Sequence, residues 1–164
     1  MGPLSRTLTA EMTVESSGPA ETRRLGRRIA ALLKAGDVLL LLGELGAGKT
    51  CFAQGIGRGL RVKEAVKSSS FVLVNEYNGR LKVYHADLFR LNDPGEVVDL
   101  ALEETSADGV LLIEWPDRAW REMPPERLLV AFDVLAENKR RIRIEAAGKR
   151  YEDILASLVG ADSP

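Results

Sequence analysis

The chain has 164 residues, a formal net charge of −1, a pI near 6.0 and 45% hydrophobic content. That balance excludes a global positive field able to carry the chain onto nucleic acid unaided, and a lone cysteine, Cys51, excludes an internal disulfide and suits a reducing compartment. The longest apolar run, Val38–Leu42, is far too short to span a bilayer, and the first residues lack the basic start and apolar core of a signal peptide, so a soluble, cytoplasmic protein is expected.

Residues 1–6 and 161–164 read as loose ends around a single domain, 7–160, of ordinary size. Leu8, Ala10, Met12 and Val14 alternate with polar residues and predict a half-buried strand over Thr7–Val14. Ser17, Gly18 and Pro19 then open a helix whose apolar positions Leu25, Ile29, Leu32 and Leu33 keep helical spacing, with Gly36 as its stop. Val38–Leu42, apolar throughout, predicts a central strand covered on both faces. A helix is expected from Lys49 to about Leu60, weakened at its far end by Gly55, Gly57 and Gly59.

Phe71–Tyr77 and Leu81–Leu88 read as strands joined at Asn78-Gly79, a strong hairpin signal. Asp93, Pro94 and Glu96 have the order of a capped helix N-terminus. Gly109–Ile113 is a second fully apolar strand and ends on Glu114, after which Pro116, Pro124 and Pro125 make the chain irregular. Arg127–Val134 and Arg140–Ala146 predict a hairpin with its tip at Ala136–Lys139, and Tyr151, Ile154, Leu155 and Leu158 predict a short amphipathic helix. Together these elements make an α/β domain with a mixed parallel and antiparallel sheet.

The chemistry concentrates in "GELGAGKT", which fits G-x-x-x-x-G-K-[ST] at Gly43, Gly48, Lys49 and Thr50. Glycines let the backbone curl so that N–H groups converge on an anion at a helix N-terminus. Lys49 would reach the β- and γ-phosphates, and the Thr50 hydroxyl would take one position on Mg²⁺. The motif follows a buried strand and opens a helix, which is its confirming context. Glu114 ends an apolar strand, where a parallel sheet delivers side chains to its ligand-binding edge, and is the first candidate for the metal. Asp87, closing "LKVYHAD", is the second, and reads equally as a cap or a partner for Arg90. His85, the only histidine, shares a strand face with Val83 and Asp87 and fits a packed or hydrogen-bonded role better than a catalytic one. Cys51 reads as a small packed side chain. Arg23, Arg24, Arg27 and Arg28 have the spacing of a solvated helix face.

Three further strings, "VKSSSFVLVNEY", "VYHADLFRLNDPGE" and "LLIEWPD", stand after "GELGAGKT" in an order and at intervals that closely resemble the TsaE (YjeE) family, over nearly the whole chain. The resemblance implies a P-loop NTPase-like, three-layer fold and an ATPase of tRNA threonylcarbamoyladenosine biosynthesis that binds ATP and Mg²⁺. It also implies work with TsaB and TsaD, stimulation of a weak ATPase by that complex, and hydrolysis that resets the machinery. By matching positions, Gly46, Ala47, Gly48, Lys49, Thr50 and Cys51 would cradle the phosphates, and Thr50 with Glu114 would serve Mg²⁺. Asp87 matches a family aspartate needed for activity and would lie near the γ-phosphate and the attacking water. Trp115 matches a family tryptophan, and Arg140 would approach the adenine side.

One departure is visible. The family reads K-S-P-T where this chain has Lys67, Ser68, Ser69 and Ser70, followed by Phe71. Ser70 keeps a hydroxyl for phosphate or metal, while Ser69 lacks the proline that would fix φ, so a more mobile segment is expected. Two other functions suit a phosphate loop: a small phosphotransferase, and a nucleotide-gated binding module with little turnover. The first would need an arginine-bearing lid, for which only Arg118 and Arg121 stand near, and the second would not need both Asp87 and Glu114. The near-neutral charge leaves most tRNA contact to the partners.

Overall fold

A computed structural model describes residues 8–66 and 74–161. In chain order, β1 (Leu8–Ser16) leads to α1 (Pro19–Ala30), β2 (Val38–Leu42) and α2 (Lys49–Gly59). Then come β3 (Val74–Tyr77), β4 (Lys82–Asp87), the short helices α3 (Glu96–Leu100) and α4 (Leu102–Thr105), and β5 (Gly109–Glu114). A 3₁₀ segment (Pro116–Glu122), β6 (Arg127–Ala136), β7 (Lys139–Ala147) and α5 (Lys149–Ala161) complete the described chain.

The strands form one sheet in the order β1-β7-β6-β2-β5-β4-β3. Its centre is parallel, β6, β2, β5 and β4, because those strands are joined by crossovers; its margins are antiparallel, formed by the β3–β4 and β6–β7 hairpins with β1 laid against β7 at one edge. The two apolar runs, β2 and β5, pair directly at the middle, where both faces are covered. On one face Leu39, Leu41, Val110, Leu112 and Val130 pack against α1, α2 and α5 through Ile29, Phe52, Ile56, Ile154 and Leu158. On the other, Leu40, Tyr84, Leu111 and Ile113 meet Leu88, Val97, Leu102, Ala119 and Met123 from the α3–α4 region and the 3₁₀ segment. The result is the expected three-layer α/β arrangement with a mixed sheet.

Three local expectations need correction. The helix predicted to run through Leu33 ends at Ala30. The N–H groups of Leu32 and Leu33 donate to the carbonyls of Ile29 and Ala30, so a tighter turn carries Leu33 into the core. The glycines of α2 do not fray it. A Cβ on Gly55 would strike the Arg23 carbonyl, one on Gly59 the Ala30 side chain, and one on Gly26 the Phe52 carbonyl, so small residues let α1 and α2 cross backbone to backbone. The helix expected to open at Asp93 begins at Glu96 with Gly95 as its N-cap; the Asp93 N–H donates to Glu96 Oε1 at 2.9 Å, and the helix breaks at Ala101, whose φ of 46° is left-handed. The strand predicted from Phe71 is seen from Val74, and Lys67–Phe71 with Ser70 lie outside the described residues.

Candidate nucleotide site

The site gathers at the carboxyl ends of β2, β4 and β5, the edge where an open parallel sheet receives ligands. β2 runs into a loop in which Gly46 and Gly48 have φ of 80° and 112°, a region that side chains avoid, and the curl delivers the chain into α2 at Lys49. Gly43 is tight for another reason: a Cβ there would lie 3.1 Å from the Phe132 carbonyl on β6. The loop's rim is held from β7. Arg140 Nε donates to the Ala47 carbonyl at 3.1 Å and Nη2 to the Gly46 carbonyl at 3.2 Å, while Nη1 bonds carbonyls of its own hairpin tip. Arg140 thus sits against the outer edge of the cradle. Thr50 is exposed at the mouth, and Cys51, half-buried behind it, receives an Arg23 guanidinium N–H at 3.8 Å. Arg23 therefore leaves the solvated face on which spacing placed it.

Lys49 is buried, with 4% of its surface exposed. Its Nζ donates to the Gly43 carbonyl at 2.6 Å and lies 3.7 Å from the centroid of the Trp115 ring. Burial pulls the amine below the ordinary lysine range, and the nearby carboxylates of Glu114, Asp87 and Asp117 oppose that shift. Trp115 itself has φ 58° and ψ 48°, a conformation costly for a bulky residue, on the order of 1–3 kcal/mol. The turn swings the indole over the loop and starts the 3₁₀ segment. Phe89 stacks on the same indole with centroids 4.9 Å apart, and the Arg118 guanidinium stands 5.5 Å from the Phe89 ring.

Asp87 and Glu114 are register partners on adjacent parallel strands, and Leu41 of β2 is the next neighbour of Glu114. Both acids stand at the ends of adjacent parallel strands beside β2, so one line of chain ends brings Asp87 and Glu114 to the edge from which the glycine loop rises. Asp87 Oδ1 accepts the Phe89 N–H at 3.0 Å. Burial raises the Asp87 pKa, the Phe89 N–H lowers it, and the Glu114 carboxylate raises it again. Glu114 is almost fully enclosed, and its Oε2 lies 2.5 Å from His85 Nε2. His85 is thus packed and hydrogen-bonded, as expected of a lone strand histidine, but its partner is an acid of the site. Among the described residues no group of three or more His, Cys, Asp or Glu could form an all-protein metal cage.

Phe89 had not been singled out. Its spacing two residues beyond Asp87 was the available sign in the sequence; in the fold it is 40% exposed.

A family model described as threonylcarbamoyl adenosine biosynthesis protein TsaE matches residues 16–142. The chain belongs to the TsaE family. It is 40% identical over 147 residues to the tRNA threonylcarbamoyladenosine biosynthesis protein TsaE of Bacillus subtilis, covering 88% of this chain and 92% of that relative. It is 46% identical over 142 residues to the Nostoc protein of the same name, covering 83% and 86%. A crystal structure of YdiB from Bacillus subtilis superposes with a TM-score of 0.77 at 32% identity, covering 95% of this chain and 98% of that one. Membership in TsaE places the chain with proteins of tRNA threonylcarbamoyladenosine biosynthesis. Among the described residues no helix is long and apolar enough to cross a membrane.

Proposed function

We propose that this TsaE protein binds ATP with Mg²⁺ and hydrolyses it in the service of tRNA N6-threonylcarbamoyladenosine formation, acting with a TsaB–TsaD complex that carries most of the tRNA contact. The observation that supports it best is the convergence of Lys49, Asp87 and Glu114 on one phosphate loop. Elements distant in sequence are brought together there by the parallel pairing of β2, β5 and β4.

The loop N–H groups and Lys49 would hold the triphosphate, with Lys49 giving up its Gly43 and Trp115 contacts for phosphate oxygens. Asp87, at the open end of β4, would orient the attacking water and accept its proton as the bond to the γ-phosphorus forms and the bond from that phosphorus to the β–γ bridging oxygen breaks, releasing ADP and phosphate. Ser70 would add a hydroxyl on the γ-phosphate side. The donors offered to Mg²⁺ are hard oxygens, the Thr50 hydroxyl and the Glu114 carboxylate, with phosphate oxygens and water completing the set. That fits the way Mg²⁺ is usually held in phosphoryl transfer, and the ion would supply neutralisation of the charge on the triphosphate.

The test is phosphate release from ATP by the protein alone and with TsaB, TsaD and tRNA. Stimulation by the complex supports the proposal. Nucleotide binding with no phosphate release under any of these conditions would leave a nucleotide-gated binding module. ADP formation without free phosphate, in the presence of an acceptor, would leave a phosphotransferase.

A further inference from the structure

His85 is a buried group that the proposed chemistry does not use, and it is paired with Glu114, which that chemistry does use. Both are enclosed, with 2% of each residue exposed. The register partner of Glu114 is Asp87, and that of His85 is Leu112. The Glu114 carboxylate therefore turns back by one pleat, away from the acid beside it, to meet His85 Nε2 at 2.5 Å. Asp87 is pinned separately, by the Phe89 N–H. Two carboxylates side by side on neighbouring strands repel, and different donors draw them apart.

We infer that His85 is a positioning residue for the metal: by holding one oxygen of Glu114 it fixes the orientation in which the carboxylate serves Mg²⁺ or the waters around it. The inference rests on the ATP and Mg²⁺ function proposed above. A buried carboxylate without a donor is costly and free to choose another rotamer, whereas one tied to an imidazole on a rigid strand has a defined direction. The ring's partner atom is Nε2, and an ionised carboxylate can only accept, so the tautomer that would hold an ionised Glu114 is the one with the proton on Nε2. Partners of this kind set metal affinity without touching the metal, and their loss typically weakens it by about 10–100-fold.

Two measurements test this. The first compares His85→Leu, which removes the donor, with His85→Gln, whose amide nitrogen reaches a similar position. The readouts are the Mg²⁺ concentration that half-saturates phosphate release and the affinity for a fluorescent ADP analogue with Mg²⁺ and in EDTA. His85→Leu should raise the half-saturating Mg²⁺ by about 10-fold or more and erase the gain in nucleotide affinity that Mg²⁺ confers, with affinity in EDTA held to about wild type. His85→Gln should restore most of both. An unchanged Mg²⁺ requirement in a folded His85→Leu protein, or a Gln variant no better than Leu, would overturn the inference.

The second measurement needs no variant to fold. His85 is the only histidine in the chain, so untagged wild-type protein gives one set of imidazole resonances in a long-range ¹H–¹⁵N spectrum. Those should report an Nε2–H ring and move when Mg²⁺ is added to the nucleotide-loaded protein. Imidazole signals indifferent to Mg²⁺ would refute a link to the metal even if ATP is hydrolysed. A protein that hydrolyses no ATP while its imidazole still responds to Mg²⁺–nucleotide would instead refute the ATPase proposal alone.

Discussion

The ammonium of Lys49 rests 3.7 Å from the centre of the Trp115 ring, so the lysine of the phosphate loop and the first residue beyond β5 are in direct contact across the mouth of the site. A cation over an indole face is worth roughly 0.5–2 kcal/mol, less than a buried ammonium gains from a polyphosphate. A nucleotide should therefore draw Lys49 off the ring. In a Trp120→Phe background, where Trp115 is the sole tryptophan, adding ADP or ATP should change the emission of Trp115. The further substitution Lys49→Ala should abolish that response together with binding. Nucleotide bound with unchanged emission would show that Lys49 does not leave Trp115.

Asp87 carries a pH prediction whose sign is fixed by its surroundings. Burial raises its pKa in the folded protein, so the folded state holds the proton over a range in which the unfolded chain has lost it. The stability this contributes is full below the unfolded pKa, about 3.9, and is lost as pH rises through the folded value. Ionised Asp87 thus destabilises the fold at neutral pH. Asp87→Asn, which can still accept the Phe89 N–H, should melt higher than wild type at pH 7, with the gap closing toward pH 4. Phosphate release by the same variant should fall by about 100-fold or more. Wild-type activity should decline as pH falls through the raised Asp87 pKa. An Asn variant less stable than wild type at pH 7 would contradict this.

Arg140 should affect binding more than turnover. Its guanidinium bridges two loop carbonyls, those of Ala47 and Gly46, from a strand 93 residues further along the chain. A lysine cannot make that fork. Arg140→Lys should weaken nucleotide affinity by about 5–30-fold, the equivalent of one or two hydrogen bonds, with phosphate release at saturation little changed. Equal losses in both would place Arg140 in the chemical step instead.

Gly55→Ala separates local preference from packing by the sign of one number. Helix propensity alone predicts a gain of about 1 kcal/mol. The contact with the Arg23 carbonyl predicts a loss of about 1–3 kcal/mol, because the backbones of α1 and α2 would have to part. Chemical denaturation at pH 7 reads the difference, and a more stable variant would refute the close crossing.

These cases show where the sequence was legible and where it was not. Unbroken apolarity in Val38–Leu42 and Gly109–Ile113 announced central strands, and strands of that kind carry whatever follows them to one edge. Lys49 and Glu114 could therefore be expected at one edge from apolarity alone, while Asp87 joined them through the family resemblance. Strand register could not be read, because alternation fixes a face but not a neighbour. His85 was assigned its face correctly, while its bond to Glu114 became visible only once Asp87 was seen paired with Glu114. Gly55 and Gly59 were misjudged because propensity treats glycine as a local cost, whereas here it answers to a second helix. The bonds from Arg140 to the loop carbonyls join β7 to a loop that follows β2, two strands away, and no local pattern around Arg140 foretells them.

The most direct test of the central claim is phosphate release from ATP by the wild-type chain and by Lys49→Ala and Glu114→Ala, each alone and with TsaB, TsaD and tRNA. The account predicts slow release by the wild type that the complex accelerates, no release by Lys49→Ala, and a Mg²⁺ requirement shifted upward in Glu114→Ala. Release unaffected by the complex, or undiminished in Lys49→Ala, would contradict it.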